Sequence, residues 1–219
     1  MVAMTGVVCV LFAGVIAAMP DEPPPFDEIV AQVFAATTPP CGYQVTVEQT
    51  ISRQEARDDK SGTARSDNAG QKSAFVVAWD PVKRSFSTEP KSQSLDANGD
   101  KGRPPAKVRM AIDFPGFLRD MLAWPKVEVV SDELAGRSCF RVSGEGQGGK
   151  SSCTLWIDAE HWCVSRLLLD ILGQRFAEAD FEYRLVHDRY WLPSKLTVLH
   201  KADGSRVTQE FGAYTLENK

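Results

Sequence analysis

The chain has 219 residues, of which 43% are hydrophobic and 25% are charged, and its formal net charge at pH 7 is -4. This balance is that of an ordinary globular domain with a substantial core, and it excludes a globally disordered chain. The mild acidity and the lack of a long basic run exclude a nucleic-acid binder, whose surface needs clustered lysine and arginine.

The N-terminal segment predicts a secretory signal peptide. Every residue from Gly6 to Ala18 is apolar, and small residues at its end suit cleavage by signal peptidase. The stretch is shorter than the roughly 20 apolar residues that a membrane-spanning helix needs. An uncleaved anchor is the alternative, because no lysine or arginine precedes Gly6. We therefore predict export to the periplasm and three segments: a signal peptide over 1–18, a proline-rich spacer over 19–25 and a folded domain over 26–219.

Two amphipathic helices are predicted. In the first, over 26–37, apolar residues recur at helical spacing, and two prolines at positions 39 and 40 end the helix. The second, over 114–123, is shorter and is rich in aromatic residues. Each has an apolar stripe that needs a surface to pack on. The stripe of the first helix consists of Phe26, Ile29, Val30, Val33 and Phe34.

From Cys41 onward the hydrophobic period changes to two, which indicates strands. Two strands are predicted near 43–51 and 73–80, and residues 87–107 predict a long connection without regular structure. Short strands that follow one another without intervening helices indicate one antiparallel sheet or barrel and exclude a doubly wound α/β fold. Turn signals separate seven further predicted strands, at 126–131, 137–144, 152–158, 163–172, 175–186, 194–200 and 206–216.

Four cysteines lie outside the predicted signal peptide, at positions 41, 139, 153 and 163. An exported chain can oxidise its cysteines, and four cysteines allow three pairings. Cys139 and Cys153 lie on either side of a glycine-rich turn at 144–149, so a cross-strand disulfide between them is geometrically feasible. The sequence alone does not fix the connectivity.

No motif in the sequence calls for catalysis, a metal or a cofactor. The glycine-rich stretch 144–149 lies between two predicted strands, so a hairpin turn explains it better than a phosphate-binding loop ahead of a helix. Residues 96–107 have the polar character of a calcium loop, but Lys107 stands where a bidentate glutamate is needed. Apart from His161 with Cys163 in a predicted turn, the histidines lack partners at metal-ligand spacing, and no serine lies in a nucleophile elbow. We therefore predict that the protein is not an enzyme and holds neither a metal nor a cofactor.

The C-terminal half resembles the outer-membrane lipoprotein-sorting proteins, the LolA/LolB-like carriers, whose relatives include the RseB-type periplasmic sensors. The resemblance rests on TLWIDAEHWCVSRLLLDILGQ at 154–174, on the alternating Glu, Phe and Tyr residues of the next strand, and on DRYWLPSKLTV at 188–198. It implies a mainly β (α+β) fold, in which about eleven antiparallel strands form an unclosed barrel. Helices cover the concave apolar face of that barrel, and its interior receives acyl chains.

The expected function is that of a periplasmic carrier of lipid or lipoprotein acyl chains, acting as a monomer in outer-membrane lipoprotein sorting or envelope lipid transport. One alternative is a sensor of the RseB type that binds an envelope membrane protein. A hydrolase of envelope lipids is least favoured, because no nucleophile and base are visible together.

The cargo is expected to lie between the concave face of the sheet and the second helix, which would act as a lid. Simple core packing is the alternative explanation for each of these apolar residues. The expected cavity residues are Phe75, Val77, Leu155, Ile157, Leu167, Leu169, Phe181, Tyr183, Leu196 and Val198. The expected lid residues are Phe114, Phe117, Leu118, Met121 and Trp124.

Overall fold

The fold is known from a computed structural model that describes residues 22–53, 71–83, 85–90 and 114–217. Helix α1 spans Phe26–Thr37, as predicted, and helix α2 spans Phe114–Met121. The second helix is two residues shorter than predicted. Beyond it the chain tightens into a turn, in which the Leu122 and Trp124 amides donate to the carbonyls three residues earlier.

Ten strands in the described part of the chain form one antiparallel sheet. Their order across the sheet is β3-β2-β1-β10-β9-β8-β7-β6-β5-β4, so β3 and β4 lie at the two edges. The predicted unclosed antiparallel barrel with few helices is therefore confirmed. The strands are β1 (Tyr43–Arg53), β2 (Gln71–Asp80), β3 (Ser85–Pro90), β4 (Lys126–Leu134), β5 (Arg137–Glu145), β6 (Ser151–Asp158), β7 (Val164–Ile171), β8 (Gln174–Val186), β9 (Tyr190–His200) and β10 (Ser205–Leu216).

Alternation along the strands gives the sheet one buried face. In β1, for example, Val45 and Val47 are buried whereas Gln44 and Glu48 are exposed. Both helices pack on the buried face. Ile29 and Val33 of α1, and Leu118 and Met121 of α2, are among the most buried side chains. A sheet with one apolar face is stable only when that face is covered, and the two helices provide the cover.

Strand β3 was not predicted, because its sequence SFSTEP is polar and its second half falls in the supposed connection 87–107. Pairing with β2 explains the strand: Phe86 lies opposite Trp79, and the two ring centroids are 4.7 Å apart. A single aromatic contact between neighbouring strands at a sheet edge thus outweighs the weak strand propensity of this sequence. Residues 91–107 of that connection lie outside the described residues.

The disulfide predicted between Cys139 and Cys153 is wrong. Both cysteines are free, and so are Cys41 and Cys163. In the β5–β6 pair, Cys139 lies opposite Asp158, and Cys153 lies opposite Gly144. The two cysteines are therefore five register positions apart, about 17 Å along the strands, whereas a disulfide needs Cα atoms within about 7 Å. The centre of the hairpin lies between Gly148 and Gly149. A pairing of the two cysteines would require a centre nearer to β5.

The signal peptide predicted at 1–18 lies outside the described residues, as do the first three residues of the spacer at 19–25. The division into segments thus stays a prediction. No helix in the described ranges has the length and the apolar character needed to cross a membrane.

Candidate functional site

A cavity of about 540 Å³ lies between the C-terminal half of α1 and one end of the sheet. This volume falls within the range of about 300–1,000 Å³ that is typical of small-molecule sites. The first turns of α2 close a further side of the cavity. Its wall is formed by Val33, Phe34, Ala35, Thr37, Thr38, Pro39, Pro40, Tyr43, Val45, Trp79, Pro81, Phe86, Phe114, Gly116, Arg119, Val164, Tyr183, Pro193, Phe211 and Tyr214.

An aromatic cluster forms the wall on the side of strands β1–β3 and β10. The ring of Tyr43 lies 5.4 Å from that of Tyr214 and 6.4 Å from that of Phe86, in both cases edge to face. Phe86 in turn packs on Trp79, whose Nε1 donates a hydrogen bond to the Pro39 carbonyl at 3.3 Å. This bond ties the sheet to the segment after α1. The indole therefore presents an apolar surface to the cavity, because its polar atom is already bonded.

The tyrosines at positions 183 and 214 are held neutral. The Tyr214 hydroxyl donates to the Pro193 carbonyl at 2.7 Å. Burial raises the pKa of Tyr214 far above its usual value, and the neighbouring Tyr43 raises it further. Burial is also the main cause that raises the pKa of Tyr183. Both phenols thus add polarisable, uncharged surface to the wall at every physiological pH.

A β-bulge in β10 sets the position of Tyr214. The pairing of β1 with β10 shifts register between Val45, which lies opposite Tyr214, and Val47, which lies opposite Phe211. The Arg184 guanidinium donates to the carbonyls of Phe211 (3.0 Å) and Gly212, and its Cζ lies 5.2 Å from the centre of the Tyr214 ring. Arg184 thus bonds two carbonyls at the bulge and also lies against the ring of the tyrosine that lines the cavity.

Polar character in the wall is sparse. Arg119 of α2 is the one charged residue among the described residues of the wall, and it is exposed. Thr38, at the end of α1, has a buried hydroxyl oxygen without a hydrogen-bond partner among the described residues. Buried polar atoms without a partner are uncommon in folded proteins. The cavity is thus an apolar chamber with a cation at its surface.

Most of the residues predicted to line a cavity lie instead in the packed core on the buried face of the sheet. Of the ten, Tyr183 lines the cavity described above. Leu169 and Val198 are partly buried against the core. The remaining seven are buried members of the core: Phe75, Val77, Leu155, Ile157, Leu167, Phe181 and Leu196.

The predicted lid residues are divided in a similar way. Phe114 lines the cavity, and its ring also packs at 5.2 Å against that of Phe181. Leu118 and Met121 are fully buried in the core, and Phe117 and Trp124 pack against it. The wall residues that were not predicted come from α1, β1 and β10, such as Val33, Val45 and Phe211. Their apolar alternation was visible in the sequence, but it did not show which part of the apolar face would remain unfilled.

A second cluster, in the turn between β6 and β7, joins an aspartate, a histidine and a cysteine. Asp158 accepts hydrogen bonds from the backbone amides of Glu160 and His161, and its Oδ1 lies 3.1 Å from His161 Nδ1. The Cys163 thiol donates to the His161 carbonyl at 3.3 Å rather than to a ring nitrogen. Burial raises the pKa of this thiol strongly, and Asp158 raises it further. The cluster therefore stabilises a turn and does not activate a nucleophile.

Thiol reactivity tests this arrangement of the cysteines. Burial raises the pKa of Cys139 to about 11 and that of Cys153 to about 12, and a thiol reacts through its thiolate. We expect Cys139, Cys153 and Cys163 to resist a thiol reagent at pH 8 in the folded protein and to react fully in denaturant. Peptide mapping after labelling checks this. Fast native labelling of any of the three, or a disulfide between Cys139 and Cys153, would contradict the structure.

Comparison with solved structures places the fold among LolA-like proteins. An outer membrane lipoprotein-sorting protein domain from Vibrio parahaemolyticus superposes with a TM-score of 0.50 at 10% identity, covering 87% of this chain and 92% of its own. A LolA superfamily protein from Nitrosomonas europaea gives 0.52 at 10% identity, over 88% and 94% of the two chains. A DUF1329 family protein from Desulfovibrio piger gives 0.51 at 9% identity, over 88% and 91%.

These similarities are of fold rather than of sequence. No protein-family model matches the sequence, and no curated protein matches it significantly. The chain has the LolA-like fold, as its resemblance to the lipoprotein-sorting proteins predicted.

Proposed function

We propose that the protein is an exported periplasmic carrier that binds lipid or lipoprotein acyl chains, in outer-membrane lipoprotein sorting or envelope lipid transport. The observation that carries the proposal is the apolar cavity between α1 and the sheet. The similar fold of a lipoprotein-sorting domain from Vibrio parahaemolyticus supports it. In this proposal the protein acts as a monomer and binds its cargo without chemically changing it.

The energetics of such a site favour an acyl chain. Each methylene group transferred from water to an apolar site contributes about 0.8 kcal/mol, so ten methylene groups would contribute about 8 kcal/mol before the cost of association. Bonded polar groups such as Trp79 Nε1 and the Tyr214 hydroxyl leave the wall few unpaired polar atoms with which to bind a sugar or a nucleotide. A flexible hydrocarbon is the ligand class that gains most from these surroundings.

Fluorescence titration tests the proposed function. The mature protein, purified without detergent, is titrated with a fatty acid that carries a dansyl group, and energy transfer from tryptophan is followed. We expect saturable binding of one probe per chain and competition by palmitate. Replacing Trp79 in the wall by phenylalanine should reduce the energy transfer more than the same replacement at Trp156. Trp156 lies on β6, outside the wall, and its indole donates a hydrogen bond to Asp132 of β4. A protein that gives no saturable signal would overturn the carrier and favour a sensor that binds an envelope membrane protein.

A further inference from the structure

We infer that the cavity selects an acyl chain that carries an anionic headgroup, a carboxylate or a phosphate, and that Arg119 recognises this headgroup. The inference rests on the proposed function and adds a specificity to it. It starts from the charges of the wall: among the described residues that line the cavity, Arg119 is cationic and none is acidic. Among the described wall residues, an anion therefore meets one attractive charge and no carboxylate.

The position of Arg119 suits contact with a headgroup rather than with a chain. Gly116 and Arg119 are three residues apart on α2 and so share one face of the helix, and both line the cavity. Arg119 is nevertheless exposed, while Gly116 is buried. A long side chain of this type can lie along an apolar wall and keep its guanidinium in water. The charge would then stand at the surface of the cavity, where the polar end of a bound amphiphile emerges.

Arg119 also differs from three arginines of the sheet in its partners. Arg175 lies 2.6 Å from Asp170, Arg141 lies 3.3 Å from Asp132, and Arg166 lies 3.7 Å from Asp180. Within the described ranges Arg119 has no such ion pair. A guanidinium matches the geometry of a carboxylate or a phosphate with two parallel hydrogen bonds. An anionic headgroup would thus provide the ion-pair partner that Arg119 lacks among the described residues.

A structural role for the same residue has to be separated from this one. Arg119 lies in the last turn of α2, where a cation stabilises the helix dipole whatever the cavity holds. Loss of stability on substitution would therefore not distinguish the two roles. A preference between ligands with the same hydrocarbon chain and different headgroups does distinguish them, because helix stability affects both ligands equally.

The experiment compares palmitate, hexadecyl phosphate and hexadecanol as competitors of the dansylated probe, each below the concentration at which it aggregates. We expect the wild-type protein to bind at least one of the two anions about fivefold more tightly than it binds the alcohol. This ratio is at the upper end of what an exposed ion pair contributes, and it should decrease as the ionic strength rises. Arg119→Gln should remove the preference, so that neither anion binds more tightly than hexadecanol. Arg119→Lys should retain part of it, and Arg137→Gln, a control at an exposed arginine outside the wall, should retain all of it.

The outcomes separate the inference from the function on which it rests. Equal affinity of the wild-type protein for the alcohol and both anions, or an anion preference that survives Arg119→Gln, overturns the role of Arg119 and leaves the carrier intact. Failure of all three amphiphiles to bind the wild-type protein overturns both. A preference for the phosphate alone points to a phospholipid as the source of the headgroup, and a preference for the carboxylate points to a free fatty acid; either supports the inference.

Discussion

Replacing Val45 by tryptophan is expected to weaken acyl-chain binding at least tenfold while the sheet stays folded. Val45 is 3% exposed and lines the cavity from the first part of β1, opposite Val77 on one side and Tyr214 on the other. Tryptophan keeps a good strand propensity and extends into the space that the chain would occupy. Displacing even two methylene groups loses about 1.6 kcal/mol, which is more than a tenfold change in affinity. Titration with the dansylated fatty acid measures the effect.

Val198→Trp is the matched control for that substitution. Val198 is partly buried against the core and lies outside the wall of the cavity. A bulky side chain there is expected to strain the packing without blocking the site, so probe affinity should remain close to the wild-type value. Circular dichroism and thermal unfolding show that both variants are folded before they are compared. Unchanged probe affinity in Val45→Trp, or an equal loss of affinity in both variants, would show that the cavity is not the binding site.

Replacing Leu118 by alanine is expected to lower the free energy of unfolding by about 3 kcal/mol, because a fully buried leucine leaves a void when it is truncated. Leu122 follows α2 directly and is 46% exposed, so Leu122→Ala should change the free energy by less than about 0.5 kcal/mol. Chemical denaturation of the two variants makes the comparison. Equally small effects would mean that α2 does not pack in the core of the folded protein and would favour a helix that moves freely as a lid.

Hydrophobic periodicity was sufficient to predict most of the fold. The stripe from Phe26 to Phe34 gave α1 with its observed limits, because two prolines and an unbroken helical period leave little choice. Strict alternation predicted the strands of the C-terminal half, and most of the predicted strand ends lie within a few residues of the observed ones. The main departure there is β9, which begins at Tyr190 within the predicted turn, since Tyr190 and Trp191 pair with the end of β8.

Long-range register could not be predicted in the same way. The cysteine pairing depended on where the β5–β6 hairpin turns, and a run of glycines allows several turning points. A short 3-10 turn at Gln147–Gly149 fixes the actual one. When the turning point of a hairpin moves by a few residues, the residue opposite a given position changes by twice that number. The two cysteines therefore do not face each other, although they lie on adjacent strands.

The position of the cavity depends on the packing of α1 and α2, which alternation does not encode. Residues such as Leu155 and Phe75 have the same period as Val45, yet the first two are packed in the core and Val45 faces the cavity. Arg119 carried no sequence signal at all, because a single arginine in a short amphipathic helix is usual on a solvated face. Its place in the wall emerges only when α2 is seen beside the end of α1.

Native mass spectrometry tests the central claim, that this cavity holds an acyl chain, most directly. The mature protein is purified from the periplasm without detergent, and its mass is compared with that of Val45→Trp prepared in the same way. We predict an adduct of one acyl-chain lipid per wild-type chain, released into organic solvent, and much less adduct on the variant. A wild-type protein that is free of lipid, and that takes up no palmitate on incubation, would contradict the account.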